Sequence, residues 1–289
     1  MSKSRYFLRS VVSYFDKRSK TCPNCGSHSG VIIDRKYFFT GLKRCTDCRL
    51  LFRLPADNVQ MNEAFYNHDY QEGQTTRIPD EETLKQMLKV GFNCDWNDYD
   101  SYIATLKNLG VGDGSRVLDF GCSWGYGSYQ LRQAGYDVLS YDIARERRAF
   151  GVNRLGVTLI DDPDLIVEGH PLYQSFDCFF SAHVLEHVPA PGKIIEFAWR
   201  CLKPGGVFVA FVPNGNMAYR KFSPSSWRAM WGDVHPNFLD SEFFNKQFAT
   251  EQPSYFARVG QKLDQYYELG IAVKTNSSQS TAAANIGQQ

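Results

Sequence analysis

No apolar run in this chain of 289 residues approaches the roughly 18 residues that a membrane-spanning helix needs. A helical membrane span is therefore not expected. Charge of one sign is also lacking: 32 Lys and Arg stand against 31 Asp and Glu, a net charge of +1. That balance offers no broad attraction for nucleic acid or anionic membrane. The first residues, Met1 to Lys20, are basic with scattered aromatics, but Arg9 breaks their apolar part, so they read poorly as a secretory leader. We expect a short helix on the body there, a membrane-surface helix being the alternative, and a cytoplasmic protein. No internal repeat is found. What is present, 43% apolar and 22% charged residues, is the composition of an ordinary soluble globule of one or two domains.

The eight cysteines divide evenly. Cys94, Cys122, Cys178 and Cys201 stand alone in apolar or turn contexts, as buried free cysteines do. The other four form two C-x-x-C pairs, Cys22/Cys25 and Cys45/Cys48, separated by nineteen residues. Val31-Ile-Ile-Asp and Tyr37-Phe-Phe-Thr between them read as a hairpin. Two such knuckles around an insert of about 15–20 residues have the spacing of a tetrahedral four-cysteine zinc site. Four thiolates leave no open position, so Zn2+ there is expected to be structural. His28 reads as a surface residue.

The centre of the chain is Arg116-Val-Leu-Asp-Phe-Gly-Cys-Ser-Trp-Gly-Tyr-Gly-Ser128. An apolar run with one acid, glycines at 121, 125 and 127, then a helical pattern, reads as buried strand, tight turn and helix. Such turns bind nucleotides at the carboxyl end of a strand. The dinucleotide fingerprint fails, because its second and third glycines would fall on Ser123 and Tyr126. Asp119 would also repel a pyrophosphate and attract a cationic ligand instead. S-adenosylmethionine, with an ammonium, a sulfonium, a ribose and an adenine, fits. Twenty-three residues further on, Asp142 ends the next strand, at the spacing of an acid that accepts both ribose hydroxyls; the competing role is a helix N-cap near Ala144.

On Asp119, Gly121 and Gly125, with Ser123 at the middle glycine, the chain resembles the class I S-adenosylmethionine-dependent methyltransferases. The resemblance extends to Phe176-Asp-Cys-Phe-Phe-Ser-Ala-His-Val-Leu-Glu-His-Val-Pro189 and to Leu202-Lys-Pro-Gly-Gly206. It is also similar to the branch of that family in which a zinc ribbon precedes the enzyme domain. The fold class implied is α/β, a doubly wound, mostly parallel, seven-stranded Rossmann-like sheet after a small ribbon. The divisions expected are 1–70 for the N-terminal helix and ribbon, 71–274 for the methyltransferase domain and 275–289 for a disordered tail. Strands are expected at 116–120, 138–142, 157–160 (weak), 176–181 and 207–212, and helices at 81–90, 99–109, 125–134, 144–154 and 191–202. The end of the sheet reads poorly, with Phe248 and 254–259 as its candidates.

The cofactor set is then Asp119, Gly121, Ser123, Gly125 and Asp142. Asp161 and Asp162 reach either the adenine amino group or a turn. His183 and His187, just past the fourth strand, and His235, in an aromatic-rich cap with Trp227 and Trp231, are candidates for the catalytic base; the competing role is backbone hydrogen bonding and pocket shaping for the first two and packing for the cap of His235. Phe65, Tyr66 and Tyr70 belong either to a substrate pocket or to packing between ribbon and body. The ribbon-bearing relatives imply a small-molecule acceptor, a sugar or natural-product-like O, N or C nucleophile. The alternative is a nucleic-acid-binding ribbon protein or RNA methyltransferase, using Lys36, Lys43, Arg44, Arg49 and Arg53.

Overall fold

The computed structural model describes residues 20–36, 40–56, 75–93, 96–160, 162–232, 234–258 and 260–276. The expected N-terminal helix, the Phe65, Tyr66 and Tyr70 segment, Cys94, Asp161 and nearly all of the expected tail lie outside these residues.

Among the described residues the first elements are β1 (Gly30–Lys36), β2 (Thr40–Cys45) and β3 (Leu51–Leu54), followed by α1 (Glu81–Val90) and α2 (Asp100–Asn108). The alternating core follows: β4 (Arg116–Phe120), α3 (Tyr126–Gln133), β5 (Asp137–Tyr141), α4 (Arg145–Phe150), β6 (Phe176–Ala182), α5 (Pro191–Cys201) and β7 (Leu202–Pro213). The last part holds α6 (Met217–Phe222), α7 (Pro224–Met230), β8 (Asn237–Phe238), α8 (Ser241–Gln247), β9 (Ser254–Phe256) and β10 (Glu268–Lys274).

Six strands form the main sheet in the order β5-β4-β6-β7-β10-β9. The first four run parallel, as alternation of strand and helix requires; β10 and β9 add antiparallel to the far edge. The expected strand at 157–160 is reduced to a single parallel bridge, Ser140 to Leu159. Ser140 N–H donates to Thr158 O, and Ile160 N–H donates back to Ser140 O. Among the described residues a seventh full strand is not formed; a five-residue π-helical turn, Gly151–Leu155, lies just before the bridge.

Period-two alternation in β4 and β6 sorts their side chains onto two faces. Leu118, Phe120 and Phe179 pack on one side with Phe197 and Phe208. Val117, Cys178 and Phe180 pack on the other with Tyr99, Tyr102 and Trp124. The helices that cover these faces are positioned by the same apolar pattern.

The ribbon sheet does not end with the ribbon. Its order is β1-β2-β3-β8, so residues from beyond β7 complete it, Leu51 pairing with Phe238 and Phe52 with Asn237. A third core cluster, Leu42, Leu51, Trp227, Trp231 and Phe238, fills the seam. Two buried charges lock it. Asp240 caps α8 through Phe243 N–H (3.0 Å) and receives Arg44 Nη2 at 2.6 Å. Burial pushes the Asp240 carboxyl up, and Arg44 opposes that shift. Removing one member of such a pair strands the other in a dry interior. Arg44→Ala should lower the unfolding free energy by about 3–5 kcal/mol, read from the shift of a urea transition.

Candidate active site

The glycine turn after β4 has the backbone that its sequence demands. Gly121 and Gly125 take φ of 89° and 86°, and Ser123 takes the left-handed region at 53°. Ser123 is tolerated there because its N–H donates to Asp142 Oδ2 at 2.8 Å. The other oxygen, Oδ1, accepts Ala144 N–H at 2.8 Å, so Asp142 also holds the start of the next helix. Each carboxylate oxygen keeps a second lone pair. Asp142 is 9% exposed, and burial raises its pKa.

Gly121, Ser123 and Asp142 line a cavity of about 610 Å³. Its apolar wall includes Phe120 stacked on Tyr141 (5.4 Å between ring centres), with Ile194 and Phe197 from α5. Asp162 lies on the same wall. The Ser123 hydroxyl is buried with no hydrogen-bond partner among the described residues, and so is available to a ligand. Asp119 and Gly125 are not lining residues. Asp119 sits beneath the turn, 1% exposed, accepting Ser128 Oγ–H at 2.6 Å. Burial pushes its carboxyl up to about 7, against the Ser128 hydrogen bond and with help from the Asp142 charge. Gly125 lets Val157 close on the turn, since a Cβ there would meet Val157 Cγ2 at 2.5 Å. At Gly121 a Cβ would meet Val184 Cγ2 at 2.1 Å, in a left-handed conformation. Gly121→Ala should therefore displace Val184 into the cavity and lower cofactor affinity at least about tenfold, at a stability loss of about 1–2 kcal/mol. Titration calorimetry beside thermal denaturation checks both.

The loop after β6 carries His183 and His187 to the same cavity. His183 takes φ of 56°. Its Nε2 lies 2.7 Å from Glu268 Oε2 and its Nδ1 3.5 Å from Glu186 Oε1. Burial opposes a charge on this ring, yet the carboxylates of Glu186 and Glu268 outweigh it and raise the pKa to about 10. His183 holds its proton near neutrality rather than standing ready to take one. Arg258 Nε (2.8 Å) and Tyr102 OH (3.0 Å) also donate to Glu268; against burial, His183 and then Arg258 hold its carboxyl down at about 2. His187 is the opposite case: burial first, then the nearby His235, lower it to about 4, against the pull of Glu186. Its Nδ1 donates to Val234 O at 2.8 Å. His235 does not line the cavity; its ring packs edge-on against His187, 4.7 Å between centres.

A family model described as a methyltransferase domain matches residues 97–251, just over half of the chain. The chain belongs to that family. Among curated relatives, the methyltransferase is 37% identical over 100 residues to a ubiquinone biosynthesis O-methyltransferase of Paraburkholderia phymatum, covering 32% of this chain and 42% of the relative. A protein of the same name from Leptothrix cholodnii is 32% identical over 114 residues, 37% of this chain and 48% of the relative. The chain thus spans less than half the length of these relatives. A solved S-adenosylmethionine-dependent methyltransferase from Mesorhizobium loti has TM-score 0.45 and 17% identity, over 62% of this chain and 99% of that one.

The four cysteines of the two C-x-x-C pairs converge, their sulfurs all within 4.8 Å of one another. Cys22 and Cys48 Sγ lie 3.5 Å apart, and Cys25 and Cys45 Sγ 3.6 Å apart. A disulfide needs about 2 Å. Thiolates at ~2.3 Å around a tetrahedral ion stand about 3.8 Å from one another, so the quartet fits Zn2+. A hydrogen bond from Cys22 pulls the Cys48 thiol down to about 5. Cys122, Cys178 and Cys201 are buried free thiols. Reading the chain for titratable residues missed Glu186, Glu268 and Arg258. Glu186 was visible as the acid of the Leu-Glu-His triplet; nothing local marks Glu268 as a partner of His183, 85 residues away, or Arg258 as a partner of Glu268.

Proposed function

We propose that this methyltransferase moves the methyl group of S-adenosylmethionine to a hydroxyl oxygen of a small-molecule acceptor. The observation that carries the reading is one cavity lined at once by the glycine turn, by Asp142 and by the loop of His183 and His187. In this reading Asp142 accepts the ribose hydroxyls and the Ser123 hydroxyl binds the cofactor. The aromatic wall receives the adenine, with Asp162 near its amino group. Asp119 and Gly125 shape the turn from behind. The methyl group then faces the histidine loop, where the proton of an O–H acceptor leaves. The sulfonium is already an activated leaving group, so the chain's main task is to align oxygen, methyl carbon and sulfur. The names of the relatives, O-methyltransferases, favour oxygen over nitrogen or carbon. Zn2+ in the ribbon is structural, and the unit within 1–70 works as one body with 71–274 through β8. Free thiols at 122, 178 and 201 agree with a reducing, cytoplasmic setting.

The test is calorimetry with S-adenosylhomocysteine, followed by incubation with S-adenosylmethionine and a panel of hydroxylated acceptors read by mass spectrometry. Absence of binding overturns the reading.

The nucleic-acid alternative loses its basis in the ribbon. Arg44 pairs with Asp240 and Arg49 with Glu242. Arg53 Nη1 donates to Gly232 O at 2.9 Å, Lys43 Nζ to His28 O at 2.6 Å, and Lys36 Nζ to Trp231 O. All five cations face backbone or carboxylates of this chain, four of them across the seam to the body, rather than forming a free basic patch.

A further inference from the structure

Beside the cavity, Glu186, His187 and His235 bring a carboxylate oxygen and two imidazole nitrogens within 4.8 Å of one another. Glu186 is fully buried, and neither of its side-chain oxygens has a hydrogen-bond partner among the described residues. Its nearest nitrogens, His183 Nδ1 at 3.5 Å and His187 Nε2 at 3.8 Å, are too far for well-formed hydrogen bonds. A buried carboxylate without hydrogen-bond partners is costly unless something else satisfies its oxygens. Both histidines are also oriented for ligation. His187 Nδ1 donates to Val234 O and His235 Nδ1 to Met230 O. A backbone carbonyl on the far nitrogen fixes the tautomer with Nε2 as the ligand, which is the usual support of a metal-bound imidazole. The segments are held side by side, since Asn237 N–H donates to Glu186 O and its side-chain amide to Val188 O.

We propose that Glu186, His187 and His235 form a second metal site, distinct from the ribbon, that takes a divalent cation of borderline softness such as Zn2+, Mn2+ or Fe2+. Two imidazoles with one carboxylate select such ions over Ca2+ and Mg2+, which prefer oxygen. Bonds of about 2.0–2.2 Å around a tetrahedral ion place ligand atoms about 3.4 Å apart, so the side chains close by roughly an ångström on binding. Three protein ligands leave at least one position open. His187 is a cavity-lining residue, so that position is reached from the acceptor side.

What the site does rests on the methyl-transfer reading. An acceptor hydroxyl binds the cation through oxygen and releases its proton to water. An oxygen lone pair then forms the bond to the methyl carbon while the carbon–sulfur bond breaks, leaving a methyl ether and S-adenosylhomocysteine. The cation lowers the pKa of the hydroxyl, as it does for bound water, and this role replaces that of His187 or His235 as a general base.

Occupancy is tested without turnover. Full-length protein, stripped and titrated with Co2+, should bind two equivalents. One shows the sulfur-to-cobalt charge-transfer band of the ribbon; the other shows only a ligand-field band without sulfur character. Glu186→Gln and His235→Ala should each lose the second equivalent and keep the first, whose band reports that the chain is folded. One equivalent in the wild type overturns the proposal, and so does a second equivalent that survives both substitutions. Cofactor binding by the wild type is measured separately, so the site and the methyl-transfer reading can fail independently.

Discussion

Asp142→Ala should weaken S-adenosylhomocysteine binding by about 10²–10⁴-fold. Hydrogen bonds to a charged group contribute about 1.5–3 kcal/mol each, and two ribose hydroxyls are at stake. The substitution also strands the N–H groups of Ser123 and Ala144, each now 2.8 Å from a carboxylate oxygen. Asp142→Asn separates the two effects. The amide oxygen keeps one backbone bond and the shape of the turn, but an amide cannot accept along both edges at once. Its loss should be smaller, about tenfold to a hundredfold. Asp119→Asn should change affinity less than either, because Asp119 lies beneath the turn and its Ser128 bond is retained by an amide oxygen. Calorimetry on the three variants, with thermal denaturation as the fold control, gives the ranking. Equal losses at 119 and 142 would contradict the assignment of the ribose to Asp142.

That ranking also shows what the sequence reveals and what it hides. The strand at 116–120 and the helix at 81–90 have their expected bounds because buried strands and capped helices are specified locally. Asp80 accepts Thr83 N–H at one end of α1, and Gly91 closes the other in a left-handed conformation. The position of an acid relative to a cavity is not local. Asp119 and Asp142 both read as cofactor-binding acids in the sequence, yet one supports the turn while the other lines the cavity. β10 is hidden for a different reason. Gly270 and Ala272 dilute its apolar pattern, although Gly270 is required by the Phe256 ring, whose Cε2 would lie 2.3 Å from a Cβ. Glu268 on that strand reaches His183 only through sheet pairing, a contact between residues far apart in the chain. The sequence offers all three histidines as candidates for the base. Neighbouring carboxylates charge one, and burial keeps another neutral.

Loss of the Zn2+ proposed for the four-cysteine site should have the largest effect on the protein as a whole. Zn2+ bound by four thiolates contributes on the order of 10 kcal/mol to folding of an isolated ribbon. Here part of that is shared with the body, because β8 completes the ribbon sheet and Asn24 Oδ1 accepts Gly192 N–H at 2.6 Å at the start of α5. Arg53 N–H donates to Pro236 O at 2.7 Å, next to His235. Unravelling β3 therefore frees the segment that places His235 and, through Asn237, the backbone of Glu186. A loss of about 5 kcal/mol at 2–4 °C per kcal/mol lowers Tm by roughly 10–20 °C. Cys45→Ser and Cys48→Ser should both show this drop and should lose the sulfur-to-cobalt band. His28→Ala, which leaves all four thiolates in place, should keep both the band and the Tm. The cavity after β4 and β5, which none of the four cysteines lines, should bind S-adenosylhomocysteine below the lowered Tm with less than about a tenfold loss. A Cys45→Ser protein with unchanged Tm would remove the ribbon from the structural role given to it. One that loses cofactor binding outright, while still folded, would mean that the ribbon supports the glycine turn and not only the acceptor side.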